Sequence, residues 1–197
     1  MPNTTATKSN PVDKPSQADI EYLKINEEGF YKISNSNTLG PFFMSIICDS
    51  NHWMFISSNG GLTAGRKNVQ YALFPYYTDD KITESTEFTG SKTIFRINRD
   101  DQTLLWEPFS NESDNLYRIS RNLYKNVYGN KIIFEEVNHD LKLTYRYQWC
   151  SSNLFGFLRK STLINNSERV VHLSVLDGLQ IILPYLKAIP KPELAIW

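Results

Sequence analysis

In the stretch "FISSNGGLTAGRKN", residues 55 to 68, residue types and spacing come close to a known chemistry. A strand-like run enters Gly60 and Gly61, and Gly65, Arg66 and Lys67 follow. A phosphate-binding loop of the GxxxxGK[S/T] kind needs a lysine that reaches the outer phosphates and a hydroxyl that binds Mg²⁺. It also needs a helix whose N-terminus faces the anion. Here Arg66 stands at the lysine position and Lys67 at the hydroxyl position, and "NVQYALFPYY" meets Pro75 instead of opening a helix. Three requirements fail. The run reads as a glycine turn between strands, where positive φ and tight passage carry no steric cost.

Paired carboxylates are the next candidates. A glycosidase places two carboxyls about 5–9.5 Å apart across one bond. Glu135 and Glu136 are neighbours in a strand pattern, so they point to opposite faces and cannot act on one substrate. Asp79 and Asp80, in "FPYYTDDK", could converge only in a loop, and turn formation is the simpler reading. His52, His139 and His172 are dispersed without HxH or HExxH spacing, and no GxSxG occurs. Local chemistry therefore marks no active site. Aromatic surface is plentiful instead, at 13% of the chain. Trp53, Phe74, Tyr76, Tyr77, Trp106, Phe109 and Trp149 offer ring faces of the kind on which sugar C–H faces pack, although a sandwich interior needs most of them.

The elements that would position these residues are strands. From Phe30 onward, short apolar or alternating runs are bounded by turn residues: "FYKIS", "PFFMSIIC", "HWMFISS", "TIFRIN", "TLLWEP", "LYRISRNLYKN", "KIIFEEVN", "LKLTYRYQWC", "FGFLRKSTLINN" and "VVHLSVLDG". Gly129-Asn130, His139-Asp140 and Asp100-Asp101-Gln102 are hairpin signals between them. Only "PSQADIEYLKI" approaches helical spacing, which predicts a short N-terminal helix. Strands with short turns and no intervening helices predict an all-β protein of antiparallel sheets, a large sandwich in preference to a barrel.

The expected organisation is a disordered tail over 1–28, a sandwich domain over 29–185 and a truncated end over 186–197. That end, with its prolines and hydrophobic "ELAIW", reads as a cut reading frame. Charge is balanced, with 21 basic and 21 acidic residues, which argues against broad attraction to nucleic acid or to an anionic membrane. No apolar run approaches the roughly 18 residues of a membrane span. The polar N-terminus lacks a signal-peptide core, so a cytoplasmic location with two reduced thiols, Cys48 and Cys150, is expected.

Taken in order, these landmarks resemble the N-terminal domain of the cellobiose and chitobiose phosphorylase family. The resemblance rests on "FISSNGGLTAGRKNVQYALFPYYTDD", "TIFRINRDDQTLLWEPF", "YGNKIIFEEVNHDLKLTYRYQW" and "LINNSERVVHLSVLDGL", and covers roughly residues 38 to 183. It implies an antiparallel β-supersandwich of galactose mutarotase-like fold, incomplete in this chain. It also implies a non-catalytic, carbohydrate-binding role in an enzyme acting on β-linked glucosides. The family's helical barrel, which carries catalysis and the site for inorganic phosphate as co-substrate, is absent from these residues. No metal or organic cofactor is implied. The partners implied are carbohydrate, the helical barrel and a second copy in a homodimer. Substrate-binding positions carried over are Arg66, Tyr76 and Asp79. Two alternatives stand beside this: a free-standing sandwich that binds carbohydrate or protein, and a small mutarotase-like epimerase that would need His139 or His172 beside Glu135 or Glu136.

Overall fold

The computed structural model describes residues 17–99, 102–111 and 116–183. The chain is all-β, and the described residues form twelve strands in three antiparallel sheets. The six-stranded sheet has the order β1 (Asp19–Ile25), β2 (Glu28–Ser34), β8 (Ile119–Asn126), β9 (Lys131–Asn138), β10 (Leu143–Ser152) and β11 (Gly156–Asn165). Facing it are β3 (Phe43–Ile46), β4 (His52–Ser57) and β5 (Leu62–Arg66), and β12 (His172–Gln180), β6 (Gly90–Arg99) and β7 (Gln102–Trp106). The one α-helix among the described residues, α1 (Asp79–Glu84), is short.

The ten strand signals match strands β2 to β4 and β6 to β12. The helical reading of "PSQADIEYLKI" is corrected: Asp19–Ile25 forms β1, paired along its length with β2 through an Asn26-Glu27 turn. Both turn residues have positive φ, 48° and 65°, as a two-residue hairpin of right-handed twist requires. The six-stranded sheet therefore includes Asp19–Ile25, ahead of the expected boundary at 29. Most of the expected tail, residues 1–16, and all of the expected end, residues 186–197, lie outside the described residues. Two elements escaped the sequence reading. The strand "LTAGR" (β5) is too small and polar to announce itself, and α1 is too short for a periodic signal.

The core fills the space between the large sheet and the two small ones. Met44, Met54, Ile56 and Leu62 from one small sheet, and Phe95, Ile97 and Trp106 from the other, meet Leu123, Ile132, Phe134, Leu143, Tyr145, Tyr147 and Trp149. The opening glycines belong to the β4–β5 turn. Gly60 has φ 100°, and a Cβ there would sit 2.8 Å from the Tyr147 hydroxyl oxygen. A Cβ on Gly61 would overlap the Ile82 carbonyl oxygen of α1. The glycine run thus lets a strand turn pass close under a helix and over a core tyrosine. Cys48 and Cys150 are both free and half-buried.

Candidate functional site

The outward face of the β3–β4–β5 sheet carries an aromatic platform. In β4 the alternation places Met54 and Ile56 in the core, with Trp53 and Phe55 on the opposite face. Register puts Gly65 opposite Trp53, Thr63 and Ser45 opposite Phe55, and Phe43 opposite Ser57. Trp53 lies over Gly65, its ring occupying the space a side chain at 65 would take. One indole face is thereby set against the sheet and the other turned away from it. Phe55 follows, with ring centroids 6.0 Å away and planes 33° apart, and Phe43 lies 5.5 Å beyond at 21°. Tyr76 stands edge-on to Trp53 at 5.9 Å and 83°, a wall at one end. Phe43 and Tyr76 are each 46% exposed, and Trp53 and Phe55 are half-buried.

The segment that carries Tyr76 is fixed by backbone bonds to β5. Leu73 and Phe74 both donate N–H to the Ala64 carbonyl, at 2.8 and 3.3 Å, and Thr63 donates its hydroxyl to the Pro75 carbonyl at 2.8 Å. At the opposite end, the Thr83 hydroxyl of α1 donates to Ser57 Oγ at 3.3 Å.

Of the three carried-over positions, Tyr76 joins this platform. Asp79 lies exposed in the first turn of α1. Arg66 pairs with His52, in the register opposite to that of Trp53, and donates Nε–H to Asn51 Oδ1 at 3.1 Å. No ion pair joins Arg66 to Asp79 among the described residues. Phe43 and Phe55 were not singled out from sequence. Their signal was the two-residue period shared with Trp53, but register across three strands is invisible in a single chain.

Elsewhere the polar groups are clamped. Glu136, fully buried on the inner face, accepts from Trp106 Nε1 at 2.8 Å, the Phe109 backbone N–H at 2.7 Å and Arg121 Nε at 2.8 Å. Phe109 has φ 67°, a conformation this carboxylate helps to hold. Glu135 points to the other face, where Asn122 Nδ2 donates at 2.6 Å, the Tyr124 hydroxyl donates at 2.9 Å and Arg146 forms an ion pair. His139 bonds Ser120 at 2.8 Å, and His172 lies at an exposed strand start. Neither histidine meets Glu135 or Glu136 among the described residues.

A third clamp spans the mouth between β11 and β12. Asp177 accepts from both Nη atoms of Arg159 at 2.9 and 2.8 Å, from Thr93 Oγ1 at 2.5 Å and from Ser161 Oγ at 2.7 Å. Burial alone would raise the Asp177 carboxyl. Hydrogen bonds from Arg159, Thr93 and Ser161 outweigh it and hold the group well below the usual carboxylate range.

A cleft of about 680 Å³ lies away from the platform, at the end of β6, between Lys142 and the Ser167–His172 loop. Among the described residues no group of His, Cys, Asp and Glu is arranged to hold a metal, and no helix is long and apolar enough to cross a membrane. No protein-family model matches the chain, and no curated protein matches it at a significant level.

Proposed function

We propose that this chain is a non-catalytic β-sandwich that binds carbohydrate, serving an enzyme of the phosphorylase type that acts on β-linked glucosides. The observation that carries the reading is the platform Trp53–Phe55–Phe43 with Tyr76 at its end. Aromatic rings held half-exposed on a rigid sheet give ring faces to the axial C–H groups of sugars without an ordering cost, since the sheet has already fixed them. On this reading Asp79 acts from α1 at the margin of the face, and Arg66 acts at an edge or interdomain surface. The protein partner is the helical barrel that the family resemblance implies.

The test is calorimetric titration of the protein with cellobiose and cellotriose, alongside Trp53→Ala and Tyr76→Ala. Binding that weakens at least tenfold in Trp53→Ala, a loss of about 1.4 kcal/mol, with an unchanged melting temperature in Tyr76→Ala, supports the reading. Equal binding by wild type and Trp53→Ala removes the platform from it. The absence of any binding to β-linked glucosides removes the carbohydrate assignment.

A further inference from the structure

We infer that the cleft at the end of β6 binds a small organic anion, with its oxyanion head at Lys142 and Arg169 and its apolar body against the end of the core. This goes beyond the carbohydrate reading and uses none of the platform residues.

The cleft spans the two layers of the sandwich. One wall is the β9–β10 turn of the large sheet, with Leu141 and Lys142, and the other is the end of β6, with Ile97 and Arg99. The segment 166–171 crosses from β11 to β12 and lines the remaining side. That crossing is stapled without a ligand. Asn166 donates its backbone N–H to the Lys142 carbonyl at 2.9 Å and its Nδ2 to Thr144 Oγ1 at 2.7 Å. Asn165 accepts the Ser167 backbone N–H at 3.0 Å and donates Nδ2 to the Arg169 carbonyl at 2.7 Å. A wall already held in place takes a ligand with little loss of loop freedom. At about 680 Å³, the cleft falls within the range of roughly 300–1,000 Å³ common to small-molecule sites.

The lining sets the chemistry of the ligand. Ile97 and Leu141 are buried members of the core, Val171 packs against them, and Val170 presents a side chain that is 82% exposed. Covering these surfaces favours an apolar body. Lys142 and Arg169 are exposed, and neither forms an ion pair among the described residues. Arg99 also lines the cleft but is already engaged, so the head group falls to the other two. Glu168 is the only acid among the described lining residues, so the charge of the cleft is positive. The planar arginine fork and the lysine ammonium both suit a carboxylate or a phosphate monoester.

The experiment follows backbone amide shifts by nuclear magnetic resonance at low ionic strength, where exposed charges are least screened. The protein is titrated with phenyl phosphate, benzoate, inorganic phosphate, benzyl alcohol and benzylammonium. Variants are Lys142→Gln, Arg169→Gln and the double variant, with Lys160→Gln on β11 as control and dichroism to confirm folding. Phenyl phosphate and benzoate are expected to shift the amides of Leu141, Asn166 and Val171. They should bind at least about threefold more tightly than inorganic phosphate or benzyl alcohol, while benzylammonium leaves these amides unmoved. Lys142→Gln and Arg169→Gln should each weaken phenyl phosphate about two- to fivefold, and Lys160→Gln should leave it unchanged. Cleft amides unmoved by both aromatic anions overturn the inference, as does benzylammonium binding equally well. Inorganic phosphate binding as tightly as phenyl phosphate, or a folded double variant with wild-type affinity, overturns it too. None of these results depends on whether cellobiose binds the platform.

Discussion

Asp177→Asn removes one charge from the clamp between β11 and β12 while keeping the shape of the side chain. Arg159 is the residue that suffers, since its side chain is only 10% exposed. Without the carboxylate its remaining partners are Ser91 Oγ at 2.7 Å, Thr93 Oγ1 at 3.3 Å and the Tyr145 hydroxyl at 2.9 Å, all neutral oxygens. The new amide also turns N–H donors toward a guanidinium that has only donors to offer. Breaking a buried pair costs about 3–5 kcal/mol. The Asp177 side chain keeps 28% exposure, so water screens part of the pair. The expected loss is accordingly about 2–4 kcal/mol at pH 7. That is a large part of the roughly 5–15 kcal/mol of a typical domain.

Urea unfolding followed by tryptophan emission and far-ultraviolet dichroism measures this directly, and pH supplies a second readout. The Asp177 carboxyl is held below its usual range in the folded state, so its contribution is present above the unfolded value of about 4. It is lost as pH falls from there toward the folded value. Wild type should therefore lose stability between about pH 4 and pH 2 more steeply than Asp177→Asn does. A cycle with Arg159→Met should show coupling of at least about 1 kcal/mol. A variant within about 0.5 kcal/mol of wild type at pH 7, with parallel acid profiles and no coupling, would refute the clamp.

Two further outcomes follow from the core. Trp106, fully buried with Nε1 on Glu136 and its ring stacked on Phe95 at 5.2 Å, should cost about 3–5 kcal/mol on replacement by alanine, read from the same urea curves. Gly61→Ala places a methyl group against the Ile82 carbonyl, so it should displace α1 and lower the melting temperature by several degrees. Gly40→Ala, where a Cβ meets nothing within 4 Å, serves as the neutral control.

Much of the sheet structure was legible because its strands are short apolar or alternating runs bounded by turn residues. "KIIFEEVN" buries Ile132, Phe134 and Glu136 on one face and sends Ile133, Glu135 and Val137 to the other, as a two-residue period requires. β1 failed the same reading because its apolar residues, Ile20, Tyr22, Leu23 and Ile25, also fit a helical face. What decides in favour of strand is the long-range pairing with β2, which no local window contains. The site was half legible. Tyr76 and Trp53 announced themselves as aromatics near a turn. Their assembly with Phe43 and Phe55 depends on the registers Trp53↔Gly65 and Ser45↔Phe55, and these are set by tertiary pairing. Arg66 lies one step along β5 from Gly65 and so on the face opposite to Trp53.

The distribution of satisfied polar groups bears on what kind of protein this is. General acid or base work requires a carboxyl that can trade a proton with a substrate within about 2.6–3.2 Å. Glu135, Glu136 and Asp177 have their oxygens committed to fixed donors: Asn122, Tyr124 and Arg146 for the first, Trp106, Phe109 and Arg121 for the second, Arg159, Thr93 and Ser161 for the third. Each set joins strands or holds a loop, and freeing the carboxylate for chemistry would leave a buried cation or N–H without its acceptor, at a cost of about 1–3 kcal/mol per group. The aromatic platform is arranged in the opposite way. Phe43 and Tyr76 are exposed and Trp53 and Phe55 half-buried, with Gly65 giving Trp53 the room it occupies. On the proposed carbohydrate reading, substitutions on this face should therefore act through the aromatic side chains and not through any of these three carboxylates.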